Sequence, residues 1–169
     1  MVSIPHGGRL VNRIVSEAKR ERLLEEAYEL PSITIGFSQA LEVENVAYGV
    51  YSPLEGFMTH EEVLTVLEDM RLPNDLPWTI PVILDAEEEA VAQIKEGDDV
   101  SLNYRGKPMA LMKVEEVYRL DKSLYAYRVF GTTDPRHPGV CKVLSMKPFL
   151  IGGAISLIQE IGKPFEKYA

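Results

Sequence analysis

The chain has 169 residues, of which 46% are hydrophobic and 26% are charged, a balance typical of one globular domain. Its formal net charge of −8 argues against binding to nucleic acid or anionic lipid, and its densest basic run, residues 19–22, contains a glutamate. The sequence has no apolar run of the ~20 residues that a membrane helix needs, and its single cysteine excludes an internal disulfide. We therefore expect a soluble protein, and the lack of a signal-peptide pattern favours the cytoplasm.

The first fifty residues predict two helices and a strand. A turn at residues 5–8 precedes a helix, because apolar residues recur at helical spacing from Val11 to Leu23. Residues 33–37 predict a short strand, and Ser38 is the predicted N-cap of the second helix.

A third helix is predicted to begin after Thr59 and to end near Met70. Thr59 and Glu62 have the spacing of a capping box, in which the side chain of each residue accepts the backbone N–H of the other. Residues 78–84 are rich in β-formers, but Pro81 cannot donate to a sheet ladder, so we expect them at a sheet edge or a bulge.

The period of the apolar residues changes from helical to alternating after Gly97. Before this change, Asp85 and Glu88 predict a short capped helix that ends near Ile94. Residues 100–104 and 109–120 then alternate around a tight turn, which predicts a β-hairpin with a long second strand.

The C-terminal part predicts less regular structure. Residues 121–129 fit helix or strand, although Asp121 as an N-cap favours a short helix. Residues 130–140, F-G-T-T-D-P-R-H-P-G-V, predict a loop, and residues 149–158 predict strands bent at Gly152 and Gly153. With helices mainly in the N-terminal half and short strands after them, the order indicates an α+β fold with a small, partly closed sheet of mainly antiparallel strands.

The residue types that carry catalysis are scattered along the chain. His6, His60 and His137 lack the local pair spacing of a zinc site. Cys141 follows His137 closely enough for a thiolate–imidazolium pair, but lone cysteines are more often small buried hydrophobes. The glycines of residues 6–10 lack the P-loop pattern, and we interpret them as a turn with positive φ rather than a phosphate site. Paired glutamates are interpreted as solvated faces and helix N-termini.

Five segments occur together in an order that identifies a family. They are P-H-G-G-R-L (5–10), Y-S-P-L-E-G-F-M (51–58), M-R-L before W-T-I-P-V (70–82), F-G-T-T-D before H-P-G-V (130–140) and I-G-G (151–153). Together they resemble the N-terminal domain of ATP sulfurylase (sulfate adenylyltransferase). The resemblance extends from Pro5 to about Ile158, nearly the whole chain.

The resemblance implies a PUA-like fold, a small pseudo-barrel of mixed and antiparallel strands with helices. It also implies the family reaction, in which ATP and sulfate give adenylyl sulfate and pyrophosphate with Mg²⁺. In the family, catalysis belongs to a following nucleotidyltransferase domain with the motif Q-T-R-N-P-x-H-R-x-H, which these residues do not contain. We therefore assign no catalytic residue, metal or cofactor to this chain, and we expect residues 160–169 to begin a linker to the catalytic domain.

Two functions follow from this sequence. In the first, the chain is the N-terminal part of a sulfate adenylyltransferase, which acts structurally beside its catalytic domain or subunit and allows homo-oligomers. In the second, it is a free-standing PUA-like module that binds RNA or a protein, although its acidity argues against RNA.

Two sets of residues are candidate contacts with the missing domain. The loop set shares polar side chains in turns: His6, Thr132, Thr133, Asp134, Arg136 and His137. The patch set is expected to be exposed and apolar, and comprises Tyr48, Tyr51, Leu54, Phe57 and Met58. Within the loop, Thr133 and Asp134 are expected to cap local N–H groups, and Pro135 and Pro138 to make the backbone rigid.

Overall fold

The computed structural model describes residues 3–161, which form an α+β fold of two compact units. Of the described residues, 3–56, 98–113 and 154–161 form the first unit, and 57–97 and 114–153 form the second. Among the helices of residues 3–161, none is both long enough and apolar enough to cross a bilayer.

After a 3-10 turn at His6–Gly8, helices and strands alternate as far as residue 104, and two further strands, two helices and a last strand follow. The helices are α1 (Glu17–Glu29), α2 (Phe37–Ala47), α3 (His60–Asp69), α4 (Glu88–Val91), α5 (Lys122–Phe130) and α6 (Pro138–Leu144). The strands are β1 (Ser32–Ile35), β2 (Gly56–Phe57), β3 (Asp85–Ala86), β4 (Asp99–Tyr104), β5 (Lys107–Lys113), β6 (Glu116–Tyr118) and β7 (Phe149–Leu157). The three longest helices, α1 to α3, lie in the N-terminal half as predicted.

The first unit is built on the predicted hairpin of β4 and β5. Strand β1 joins β4 in parallel, and the C-terminal part of β7 pairs antiparallel with β5. Helix α1 packs against β4 and β5. The alternating residues Val100, Leu102, Ala110 and Met112 are fully buried, so the period-two pattern that predicted the hairpin also supplies its core.

The first helix begins at Glu17 and not near Val11, so that prediction was wrong. The preceding backbone pairs with distant segments instead: Arg13 N–H donates to the Ala47 carbonyl and Val15 N–H to the Leu157 carbonyl, each at 2.9 Å. Because these tertiary hydrogen bonds satisfy the backbone, apolar residues at helical spacing lie in an extended segment.

The second helix begins two residues earlier than predicted. Its N-cap is Gly36, and Ser38 lies inside the helix. The Gln39 side chain reaches back and accepts the Gly36 N–H at 3.0 Å, whereas glycine has no side chain to accept the N–H groups of the first turn.

The second unit centres on the N-terminal part of β7. This part pairs antiparallel with β3 on one side and with β6 on the other. Helix α5 packs against α3 and α6. The capping box of α3 is confirmed, since Glu62 Oε2 accepts the Thr59 N–H at 2.8 Å. The long second hairpin strand ends at Lys113, and β6 is a separate strand of this unit.

Two predictions for residues 78–88 were wrong. Residues 78–84 form no strand, although the Val82 carbonyl accepts the Met58 N–H at 2.9 Å. Asp85 lies in β3 and does not cap α4, whose N-cap is Glu87. The Asp85 carboxylate accepts the Lys147 N–H at 2.8 Å, a long-range contact that local sequence does not encode.

The glycine pair lies within one continuous strand, β7, rather than between two strands. A Cβ on Gly152 would lie 2.8 Å from the Met58 carbonyl oxygen and 2.8 Å from Thr59 Cα. Gly152 is therefore required by the close approach of another backbone segment in the same unit.

Candidate functional site

The predicted loop is shorter than its composition indicated. It connects α5 to α6, and α6 begins at Pro138, so residues 138–140 are helical and not loop. Proline suits the first turn of a helix because its missing N–H has no intrahelical partner there. Gly131 ends α5 with φ of 71°, the left-handed conformation that glycine adopts without steric cost.

Asp134 and Arg136 form a bidentate ion pair at the loop surface. Asp134 Oδ2 accepts from Arg136 Nη2 at 2.5 Å and from Nε at 2.9 Å, while Oδ1 accepts the Arg136 backbone N–H at 2.9 Å. The Arg136 side chain is 90% exposed. Its guanidinium, followed by its backbone N–H, holds the pKa of Asp134 below the ordinary value.

His137 caps α6 and packs on an aromatic ring. Its Nδ1 accepts the N–H groups of Gly139 at 3.2 Å and Val140 at 3.4 Å. The imidazole and the Phe130 ring have centroids 5.0 Å apart. A Cβ on Gly139 would lie 2.5 Å from that phenyl ring, so the start of α6 is fitted closely against the end of α5.

The threonines of the loop have different environments. Thr132 Oγ1 accepts the Asp134 N–H at 3.1 Å and is half-buried, whereas Thr133 is exposed. The prediction that Asp134 caps local N–H groups is confirmed, and Thr132 rather than Thr133 is the threonine that does so. The loop is held by its own polar groups and leaves the Arg136 side chain exposed to solvent.

His6 lies in the first unit, whereas the other members of the loop set lie in the second. It belongs to the 3-10 turn, where Gly7 and Gly8 have φ of 75° and 82°. The interpretation of these glycines as a positive-φ turn is confirmed. The neighbouring Arg9 side chain is exposed and lies 3.8 Å from the Glu55 carboxylate.

The expected exposed patch is contradicted by burial. Leu54, Phe57 and Met58 are 6%, 2% and 0% exposed, and Tyr51 is half-buried. The turn-rich composition suggested a surface segment, but these side chains belong to the core. Tyr48 is 40% exposed and is the member of the patch set that remains at the surface.

Across residues 3–161, no three His, Cys, Asp or Glu side chains are arranged to hold a metal ion. Cys141 is exposed, in contrast to the buried position that lone cysteines more often have. The Nδ1 of His137, its neighbour one turn away on α6, is engaged in capping the helix.

One surface feature was not predicted. An open groove of about 750 Å³ in the second unit is lined by Thr59, His60, Glu61, Leu64, Thr65, Glu68, Glu96, Glu115 and Glu116. His60 stacks on Tyr118 with ring centroids 5.1 Å apart, and Glu116 Oε2 accepts the His60 N–H at 2.8 Å. Paired glutamates such as Glu115–Glu116 are visible in the sequence, but the sequence does not show that glutamates from distant segments line one groove.

Comparisons with known proteins agree with the fold. The PUA-like domain family model matches residues 3–160. The chain is 59% identical over 168 residues to the sulfate adenylyltransferase of Hyperthermus butylicus, covering 99% of this chain and 43% of that protein. It is 52% identical over 166 residues to the sulfate adenylyltransferase of Staphylothermus marinus, covering 98% and 44%.

A solved structure extends the comparison to three dimensions. The hexameric APS kinase from Thiobacillus denitrificans superposes with a TM-score of 0.73 at 26% identity, covering 96% of this chain and 28% of that chain. This chain thus spans less than half the length of each of these relatives. Since the family model covers nearly all of the described residues, the chain belongs to the PUA-like domain family and corresponds to the N-terminal part of sulfate adenylyltransferases.

Proposed function

We propose that the chain is the non-catalytic N-terminal part of a sulfate adenylyltransferase and supports a separate catalytic part by contact. The observation that carries this proposal is the 59% identity, over 168 residues, to a sulfate adenylyltransferase of more than twice the length. At that identity the fold and its surface contacts are expected to be shared.

The loop of residues 131–137 is the contact that we assign to the catalytic part. Thr132, Asp134 and His137 each accept a nearby backbone N–H, so these contacts fix the loop before any partner binds and reduce the entropy lost on binding. The exposed guanidinium of Arg136 presents a cation, and arginine is enriched at protein interfaces.

The same proposal implies which substrates the complete enzyme binds and how it assembles. ATP, sulfate and Mg²⁺ bind the catalytic part, and this chain holds no cofactor or metal of its own. The partner is the catalytic domain or subunit, homo-oligomers form through the complete enzyme, and neither nucleic acid nor membrane is a partner. The exposed cysteine fits a reducing compartment, and we place the protein in the cytoplasm.

A chimera tests this proposal. This chain replaces the matching part of the Hyperthermus butylicus enzyme, and ATP formation from adenylyl sulfate and pyrophosphate is measured. The chimera is expected to be active, whereas this chain alone is expected to be inactive and the relative without its matching part is expected to have lost most activity.

Two results would overturn the proposal. The first is ATP formation by this chain alone, after removal of contaminating enzyme. The second is a folded chimera that is no more active than the relative without its N-terminal part. Binding of single-stranded RNA by this chain at moderate salt would favour the module that binds nucleic acid.

A further inference from the structure

The tip of the β4–β5 hairpin in the first unit lies beside a small pocket. Strands β4 and β5 are joined by two residues, Arg105 and Gly106. The pocket has a volume of about 300 Å³, at the lower end of the range for ligand sites, so it suits a small ligand. Its lining comprises Tyr104, Arg105, Lys107, Pro108, Met109, Gln159, Glu160 and Ile161.

The backbone of this turn does not explain the arginine at its tip. Arg105 and Gly106 have φ of 50° and 76°, which are the positive values of a type I′ hairpin turn, where Asn-Gly is the favoured pair. Positive φ is uncommon for an arginine, because its Cβ crowds the backbone there. A side chain held at such a position suggests a role beyond forming the turn.

The Arg105 side chain is held against the neighbouring tyrosine. Its guanidinium carbon lies 5.1 Å from the centroid of the Tyr104 ring, within the range of a cation–π contact. Stacking uses the face of the guanidinium, whereas its N–H donors lie along the edge. Tyr104 and Lys107 are cross-strand partners, so their side chains project from the same face of the hairpin.

The described part of the chain does not neutralise these two cations. Among residues 3–161, Arg105 and Lys107 form no ion pair, although the sequence has 26 acidic and only 18 basic residues. Glu160 contributes a carboxylate to the lining, and this carboxylate accepts the Tyr48 hydroxyl. The lining therefore has two formal positive charges and one negative charge, and the surplus favours an anion.

We propose that this pocket binds the phosphate group of a small molecule, either free phosphate or a small phosphomonoester. The planar fork of Arg105 matches two phosphate oxygens, and Lys107 adds a second positive charge. All of the lining residues belong to the first unit. The site does not depend on the proposed catalytic partner, so its test needs only the isolated chain.

An NMR titration tests the binding directly. The amide signals of residues 104–107 are followed while inorganic phosphate, glycerol phosphate or sodium chloride is added at matched ionic strength. We expect these signals to shift to saturation with a phosphate probe and not with chloride. The probe that binds more tightly identifies the form of the ligand. If neither phosphate probe gives a saturable shift, the proposal is wrong.

Matched variants show whether the two cations hold the ligand. Arg105→Asn removes the charge but supplies the residue that the turn favours, so the fold is retained. We expect its affinity for phosphate to fall about tenfold, the factor for one lost charge-assisted hydrogen bond of modest strength. Lys107→Gln should also weaken binding, and Arg105→Lys should retain part of the affinity because it keeps the charge.

Arg22→Gln is the control for net charge. Arg22 is an exposed residue of α1 in the same unit, and its substitution removes the same charge far along the sequence from the hairpin. We expect this variant to bind phosphate as the parent chain does. Unchanged affinity in Arg105→Asn would overturn the proposal. An equal loss in Arg22→Gln would also overturn it, by showing that only the net charge matters.

Discussion

The hydroxyl of Ser52 joins the start of the chain to the turn after α2. Ser52 Oγ accepts the Val11 N–H at 2.9 Å and donates to the Gly49 carbonyl at 2.6 Å, and Ser52 is 4% exposed. Ser52→Ala leaves the buried Val11 N–H without its partner, so we expect a loss of about 1–3 kcal/mol in the free energy of unfolding. Denaturant unfolding measures this loss, and substitution of an exposed serine, Ser38→Ala, is the control. An equal loss in the two variants would contradict this role of Ser52.

Gly152→Ala is expected to destabilise the second unit. The new methyl group would lie within 3.0 Å of three backbone atoms of Met58 and Thr59, which cannot move as a side chain can. Overpacking of this kind costs about 3 kcal/mol at its upper end. Gly36→Ala is the control, because a Cβ there meets nothing within 4 Å and only the weaker N-cap preference of alanine acts against it. Thermal melts that rank the control as the more damaging variant would refute the explanation.

The buried Tyr125 is expected to lower the free energy of unfolding at alkaline pH. Burial raises the pKa of Tyr125 to about 12, against 10.0 for an exposed tyrosine. Because the folded-state pKa is the higher one, this contribution is fully present below pH 10 and is lost as pH rises through about 12. It amounts to about 3 kcal/mol. Unfolding at pH 8 and pH 11.5 measures it, and Tyr125→Phe should show a smaller alkaline loss.

Asp134 is expected to titrate below its ordinary pKa because of Arg136. The guanidinium and the Arg136 N–H lower the pKa of Asp134. The ion pair is therefore intact above pH 3.8 and is lost as pH falls through the lowered folded-state pKa. NMR titration of the carboxyl carbon should show the pKa rising toward the ordinary value in Arg136→Ala. An unchanged pKa in that variant would show that the ion pair is not formed in solution.

Substitution of Arg136 is expected to lower activity without loss of stability, whereas substitution of His137 is expected to lower stability. Arg136→Ala removes an exposed side chain, so it should leave the melting temperature of the chimera nearly unchanged while lowering its activity. His137→Ala removes the N-cap of α6 and should cost about 1 kcal/mol of stability. If Arg136→Ala retains full activity, the loop is not the contact with the catalytic part.

Local sequence patterns predicted the elements whose stabilising groups are near one another along the chain. The Thr59–Glu62 capping box, the Asp121 N-cap and the hairpin of β4 and β5 each depend on residues that are close in sequence. The polar contacts within the Thr132–His137 loop are of the same kind, since all of them join residues within three positions of each other. The five motifs that identified the family are also short segments, recognised by their residues and by their order along the chain.

Tertiary structure alone decided where the remaining segments lie. Residues 11–15 do not form a helix despite a helical pattern, because the N–H groups of Arg13 and Val15 bond to α2 and β7. Leu54, Phe57 and Met58 are buried because burial depends on which segments meet, which composition does not record. The hydrogen bonds from Tyr48 to Glu160 and from Ile161 to Glu44 join residues more than a hundred positions apart. Such contacts are set by packing of the whole chain, because no local period in the sequence encodes them.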